Sequence, residues 1–257
     1  MSVSIEGSEE MFTQVSRETR KVQILTYIEE SLENLKDEIQ DVVMIDLSAY
    51  DLDNDSVLEM IHVKYNAEII GKRMFIKYDG KLKQRIHRRL AHSAETHNPN
   101  WDVDETGTCT TRNRDTFLPD VGIWFQLVTK AQRVTPIKAR CPLPNVWIEV
   151  FFNRDPDRSH ALSNIDLIQR QNLGIEFVCI ALPFSTANFP QNPNPGAATV
   201  QATPTANQNS RPTRAPYIIH WNANNVPVYY KMSWNNHIIH RCGWALDFNL
   251  VLNVLAM

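Results

Sequence analysis

Three apolar segments, 118–127, 145–152 and 175–182, constrain this chain more than any other feature. Each is rich in β-branched and aromatic residues, the pattern of strands that pack in a core. Between the last two, residues 161–173 read as a helix that Gly174 stops. Upstream, residues 66–78 read as two short strands turning near Gly71, and 80–97 as a helix. Downstream, Tyr217–Trp221, Pro227–Met232 and His237–Arg241 read as strands and Asp247–Leu255 as a helix. This order predicts an α+β (α/β) fold, a central mixed β-sheet flanked by helices. With 43% hydrophobic and 21% charged residues, the 257-residue chain has material for a sizeable core. That composition excludes a wholly disordered chain, a collagen and a disulfide scaffold. No apolar run approaches the roughly 20 residues that span a bilayer.

Residues 17–43 read as a helix with Leu25, Ile28, Leu32, Leu35, Ile39 and Val42 on one stripe. That stripe suits a short coiled-coil seam or packing on the chain's own core. Asp51, Asp53 and Asp55 alternate like a calcium loop, but Ser56 and His62 stand where its glycine and glutamate belong, so a turn or helix entry is expected. Residues 1–56 are expected to form an acidic N-terminal helical region and 57–257 the main domain. Residues 183–216 hold seven of the 14 prolines and no acidic residue, and are expected to be an extended, mobile insertion rich in Pro, Asn and Thr. The acidic N-terminus lacks the basic and apolar regions of a signal peptide, and the four cysteines form no CxxC pair. Both point to a soluble intracellular protein with reduced thiols.

The net charge of −3 hides an asymmetry. Residues 1–60 carry 15 acidic and 4 basic side chains. Residues 71–92 hold eight Lys and Arg against Asp79 alone. Lys81, Arg85, Arg88 and Arg89 on the 80–97 helix could follow a phosphate backbone, or form a solvated face that pairs with the acidic N-terminus.

No Gly-rich phosphate loop, GxSxG elbow or HExxH pair is present, and no organic cofactor is implied. The spacing of the eight histidines suggests no metal site. Two carboxylates stand out: Asp120 in Phe-Leu-Pro-Asp-Val-Gly-Ile-Trp and Glu149 in Asn-Val-Trp-Ile-Glu-Val-Phe-Phe. A charge inside an apolar strand needs a partner or a metal unless it points outward. Paired on neighbouring strands, the two could hold one Mg²⁺ through oxygen ligands.

At these residues the chain resembles the putative restriction endonuclease family, which has the PD-(D/E)XK nuclease fold. The resemblance rests on Pro119-Asp120-Val121, Ile148-Glu149-Val150 and Gly174-Ile175-Glu176-Phe177. Ala67-Glu68-Ile69-Ile70-Gly71, Val228-Tyr229-Tyr230 and Trp244-Ala245-Leu246-Asp247-Phe248 add to it, over roughly residues 57–182 and 217–255. It implies a divergent nuclease that hydrolyses DNA with Mg²⁺ or Mn²⁺. Asp120 and Glu149 would hold the ion, with Glu68 and the Val150 carbonyl assisting. A homodimer is possible in such a family. The motif lysine is missing: Phe151 stands two residues after Glu149. The family's alternative place for it falls near Asp166, beside Gln169 and Arg170. Gln169, Arg170 or the distant Lys77 are the available substitutes. The alternative is a catalytically inactive relative that binds nucleic acid or protein.

Overall fold

The computed structural model describes residues 6–35, 41–52, 54–171, 174–184, 196–205, 214–221 and 225–257. In chain order the elements are α1 (Glu6–Asn34), β1 (Val42–Asp46), α2 (Asp55–Tyr65), β2 (Glu68–Ile70), β3 (Arg73–Lys77) and α3 (Lys81–His97). Then come β4 (Asp102–Asp104), β5 (Cys109–Thr110), β6 (Thr116–Phe117), β7 (Val121–Trp124), α4 (Lys130–Val134), β8 (Val146–Phe152), α5 (Asp157–Gln169) and β9 (Glu176–Leu182). β10 (Val200–Gln201), β11 (Tyr217–Trp221), β12 (Pro227–Lys231), β13 (Asn236–Ile239), β14 (Ala245–Asp247) and α6 (Asn249–Leu255) complete the chain. The fold is mixed α+β, as expected.

Three sheets are present among the described residues, where the sequence predicts one. The largest has the order β12-β11-β9-β8-β7-β4. Its β8 and β9 run parallel, because α5 carries the chain back between them, and its other pairs are antiparallel. Both faces of β8 and β9 are buried, which is why their sequences are apolar without alternation. On one face Ile148, Val150, Val178 and Ile180 pack against Ile86 and Leu90 of α3 and Val251 and Leu252 of α6. On the other, Trp147, Phe151, Phe177 and Cys179 pack against Ala161, Ile165 and Ile168 of α5. Burying each large apolar side chain stabilises the fold by about 1.5–3 kcal/mol.

The second sheet has the order β1-β3-β2-β6-β5. It shares a core with Ile24 and Ile28 of α1 and Val57, Leu58 and Ile61 of α2. The apolar stripe of α1 therefore packs on the chain's own core. The helix ends before β1, so Val42 belongs to a strand, and Ile39 lies outside the described residues. β1 precedes residue 57 yet pairs along its whole length with β3. The Asp-rich segment is the entry to α2, capped by the Asn54 side chain.

A small third sheet, β10-β13-β14, corrects the reading of 183–216 as wholly extended and mobile. Val200 and Gln201 pair in parallel with Asn236 and His237, and Ala202 is buried in the main core. Residues 185–195 and 206–213 lie outside the described residues.

Two features position the site described next. The β2–β3 hairpin turns through Gly71 and Lys72, and Gly71 has a φ of +60°. A side chain there would strain the backbone, so glycine at the first turn position secures the hairpin's register. The chain also leaves β6 of the second sheet and enters β7 of the first through only Leu118, Pro119 and Asp120. Asp120 thus sits where the two sheets meet. No described helix is long and apolar enough to cross a membrane.

Candidate active site

The antiparallel register of β7 and β8 pairs Val121 with Ile148 and Gly122 with Trp147. Continued by one residue, it sets Asp120 opposite Glu149. The second sheet adds Glu68 at the start of β2 and Lys77 at the end of β3. Phe75 pairs with Glu68, and Lys77, two residues on, points to the same side.

Lys77 joins these groups. Its Nζ donates to Asp120 Oδ1 at 2.9 Å, Glu149 Oε2 at 3.3 Å and the Leu118 carbonyl at 2.6 Å, and lies 4.0 Å from Glu68 Oε1. The three carboxylates are each 1% exposed. Their remaining oxygens are occupied. Asp120 Oδ2 accepts from the Val150 amide at 2.7 Å, and Glu149 Oε1 from Trp147 Nε1 at 2.8 Å. Glu68 accepts from the Leu118 amide at 2.9 Å and from Asn164 Nδ2, and lies 2.6 Å from His160 Nε2. His160 and Asn164 reach Glu68 together because they are one helical turn apart on α5.

A second buried cation, Lys83, comes from the basic helix. It meets Asp79 at 2.7 Å and Asp157 at 3.2 Å, and Asp157 also accepts from the Phe152 amide. His87, one turn on from Lys83, brings Nε2 to 3.7 Å from Asp120 Oδ2 without a hydrogen bond. Asp79, His87 and Asp120 offer ligand atoms within 4.8 Å of one another.

The electrostatics follow from three carboxylates around one ammonium. Burial works against the Lys77 charge, but Asp120 and Glu149 outweigh it and hold the ammonium well above the usual lysine range. Burial would raise Asp120 too; Lys77, then His87 and Lys83, outweigh it and keep the carboxyl well below its ordinary range. Glu68 is lowered in the same way, burial being overcome by Lys77 and His160. Glu149 goes the other way. Burial pushes it well above the carboxylate range; Lys77 opposes, while Asp120 and Glu68 add to the shift.

The structure therefore brings together Asp120, Glu149, Glu68 and the Val150 amide. It also brings in Lys77, which the sequence offers only as a distant substitute. Gln169 and Arg170 are not brought in. Gln169 lies beyond Asn164 at the end of α5, its Nε2 buried without a hydrogen bond, and Arg170 pairs with Asp166. Lys81, Arg85, Arg88 and Arg89 are exposed on α3, on the side away from the core. Lys83, His87, His160 and Asn164 are the residues that sequence reading missed. The i, i+4 spacing of each pair was the available signal.

The opposite shifts set a pH dependence. Stability from Asp120 and Glu68 is present above their unfolded values, about 4, and lost as pH falls through the folded ones. Stability from protonated Glu149 is fully present below about 4.3 and lost as pH rises through its raised folded value. Glu149→Gln stays neutral, so it should gain on the parent by about 1.4 kcal/mol per pH unit inside that window. Urea unfolding across pH checks this, and a gap that does not change with pH would contradict it.

No family model matches the chain, and no curated protein matches it. Among solved structures, the chain is similar to one described as a "putative nuclease belonging to DUF820 from Anabaena variabilis ATCC 29413". That match has a TM-score of 0.42 and 10% identity, and covers 74% of this chain and 90% of that one.

Proposed function

We propose that the chain is a metal-dependent nuclease whose motif lysine has moved from β8 to β3. The observation that carries this reading is Lys77 Nζ between Asp120 and Glu149. The chemistry of the donors suits a hard divalent cation. Three carboxylates face a single ammonium, leaving excess negative charge in a dry site, and oxygen donors suit Mg²⁺ or Mn²⁺. Asp120 and Glu149 would hold the ion, with Glu68 and the Val150 carbonyl as further ligands. A bound divalent ion supplies Lewis-acid stabilisation of phosphoryl charge and lowers the pKa of water.

The chain's own residues do the rest. The Val150 amide and the Leu118 carbonyl fix Asp120 and Lys77 on the two sheets. Trp147 orients Glu149. Lys77 keeps its proton and sets a positive charge beside the place where charge would build on the attacked phosphate. Glu149 would hold the ion as a carboxylate, its proton released to solvent. His160 and Asn164 hold Glu68 in place. Lys81, Arg85, Arg88 and Arg89 supply exposed positive charge for DNA phosphates. Nothing in this scheme requires an organic cofactor or a second subunit.

One observation favours a second reading, a nuclease-fold protein that binds nucleic acid without cutting it. The carboxylates are almost wholly buried, and their charges are partly neutralised within the cluster.

Supercoiled plasmid with Mg²⁺ or Mn²⁺ separates the two. The parent should nick it, and Asp120→Asn and Glu149→Gln should do so about 10²–10³-fold more slowly. Equal nicking by all three would sink the site assignment. DNA binding without nicking by the parent would select the second reading.

The basic helix has its own test. Replacing Arg85, Arg88 and Arg89 by alanine should weaken DNA binding and flatten its log–log salt slope by roughly 0.9 for each phosphate the helix no longer neutralises. An unchanged slope would remove α3 from the interface.

A further inference from the structure

Outside this cluster, one group of side chains has the make-up of a metal centre. Glu176 opens β9, His220 lies on β11, and His240 follows β13. β11 is antiparallel to β9 with His220 opposite Val178, so Glu176, two residues away, shares its face and is its diagonal neighbour. The β13–β14 hairpin then lays its turn over that corner. The Arg241 amide donates to Glu176 Oε2 at 3.1 Å, and the Arg241 guanidinium reaches the Gly174 carbonyl at 3.2 Å.

The three side chains converge. His220 Nε2 is 2.6 Å from Glu176 Oε1, and His240 Nδ1 is 3.2 Å from the same oxygen. One ligand atom from each lies within 4.8 Å of the others. Glu176 and His240 are each 2% exposed. Among the described residues, His240 Nε2 has no hydrogen-bond partner and Nδ1 meets only the Glu176 carboxylate, without good hydrogen-bond geometry; the ring is stacked on Trp244 with centroids 4.6 Å apart. A buried imidazole with an unpartnered Nε2 among the described residues, and with Nδ1 set against a carboxylate beside a second imidazole, is an incomplete polar arrangement. A metal ion would complete it.

We infer that Glu176, His220 and His240 form a second metal site that takes a zinc-class transition ion. Two imidazoles and one carboxylate suit Zn²⁺ and its neighbours rather than Mg²⁺, which prefers oxygen alone. The site is separate from the nuclease cluster. Glu176 shares the sheet face of Val178 and Ile180, whereas Glu149 lies on the opposite face with Trp147 and Phe151. Its place indicates its role. β9 and β11 belong to the large sheet and His240 to the hairpin of the small one, so the ion ties the two sheets together. Three protein ligands leave one position for water.

The experiment uses the full chain stripped with a chelator, then titrated with Zn²⁺ alone and, separately, with Co²⁺ as a spectroscopic probe. One Zn²⁺ per chain beyond any held by the Asp120–Glu149 cluster, a tetrahedral Co²⁺ spectrum and a melting temperature that rises with Zn²⁺ are expected. His220→Gln and His240→Gln should each weaken Zn²⁺ binding at least 100-fold. His220, the more exposed, is the variant expected to stay folded. The double variant Asp120→Asn, Glu149→Gln should still bind one Zn²⁺, which separates this site from the nuclease reading. No stoichiometric uptake by the parent, no Zn²⁺-dependent rise in melting temperature, or unchanged affinity in folded His220→Gln would each overturn the inference.

Discussion

One ammonium group makes the centre of this protein possible. Lys77 Nζ stands 2.9 Å from Asp120, 3.3 Å from Glu149 and 4.0 Å from Glu68, all in the dry junction between two sheets. Each buried carboxylate would carry a penalty of several kcal/mol if left alone. Lys77, the Val150 and Leu118 amides and the Trp147 indole offset much of it. What they leave is negative charge in excess, expressed as the raised protonation of Glu149. On the proposed reading, a bound cation would neutralise that excess.

The lysine's position follows from the architecture. β8 is buried on both faces, and Phe151, where a motif lysine would stand, packs among Trp147, Ile165 and Phe177 instead. The β2–β3 hairpin of the neighbouring sheet then supplies the cation. This solution makes the site depend on how the sheets meet, through the Leu118–Asp120 crossing and the helix α5 that seats His160 and Asn164 on Glu68. It also draws the N-terminal region into the site's support, since β1 braces β3 along its length.

Much of this was legible in the sequence, for definite reasons. Asp120 and Glu149 stood out because a charge amid apolar strand residues demands an explanation, and β7 and β8 do place them side by side. The hairpin at Gly71 and the helix at 81–97 were readable from turn chemistry and periodicity. Lys77 was not, because it lies 43 residues from Asp120 and 72 from Glu149, and its contacts cross between sheets. Lys83 and His87 were hidden because a charged helix reads as solvated, while each points inward onto buried carboxylates. His220 and His240 gave no spacing signal. Only the β9–β11 register and the β13–β14 hairpin bring them to Glu176. The small strand at Val200–Gln201 was lost in a Pro-rich composition that suggests no pairing.

On the proposed reading Lys77 performs the task of the absent motif lysine, and one comparison decides it. Lys77→Met, confirmed as folded by circular dichroism, is assayed beside the parent for Mn²⁺ binding and for nicking of supercoiled plasmid. Mn²⁺ binding should persist, because the carboxylates remain, while nicking falls at least about 100-fold with the loss of the charge-stabilising ammonium. Nicking at the parent's rate by the folded variant would contradict it.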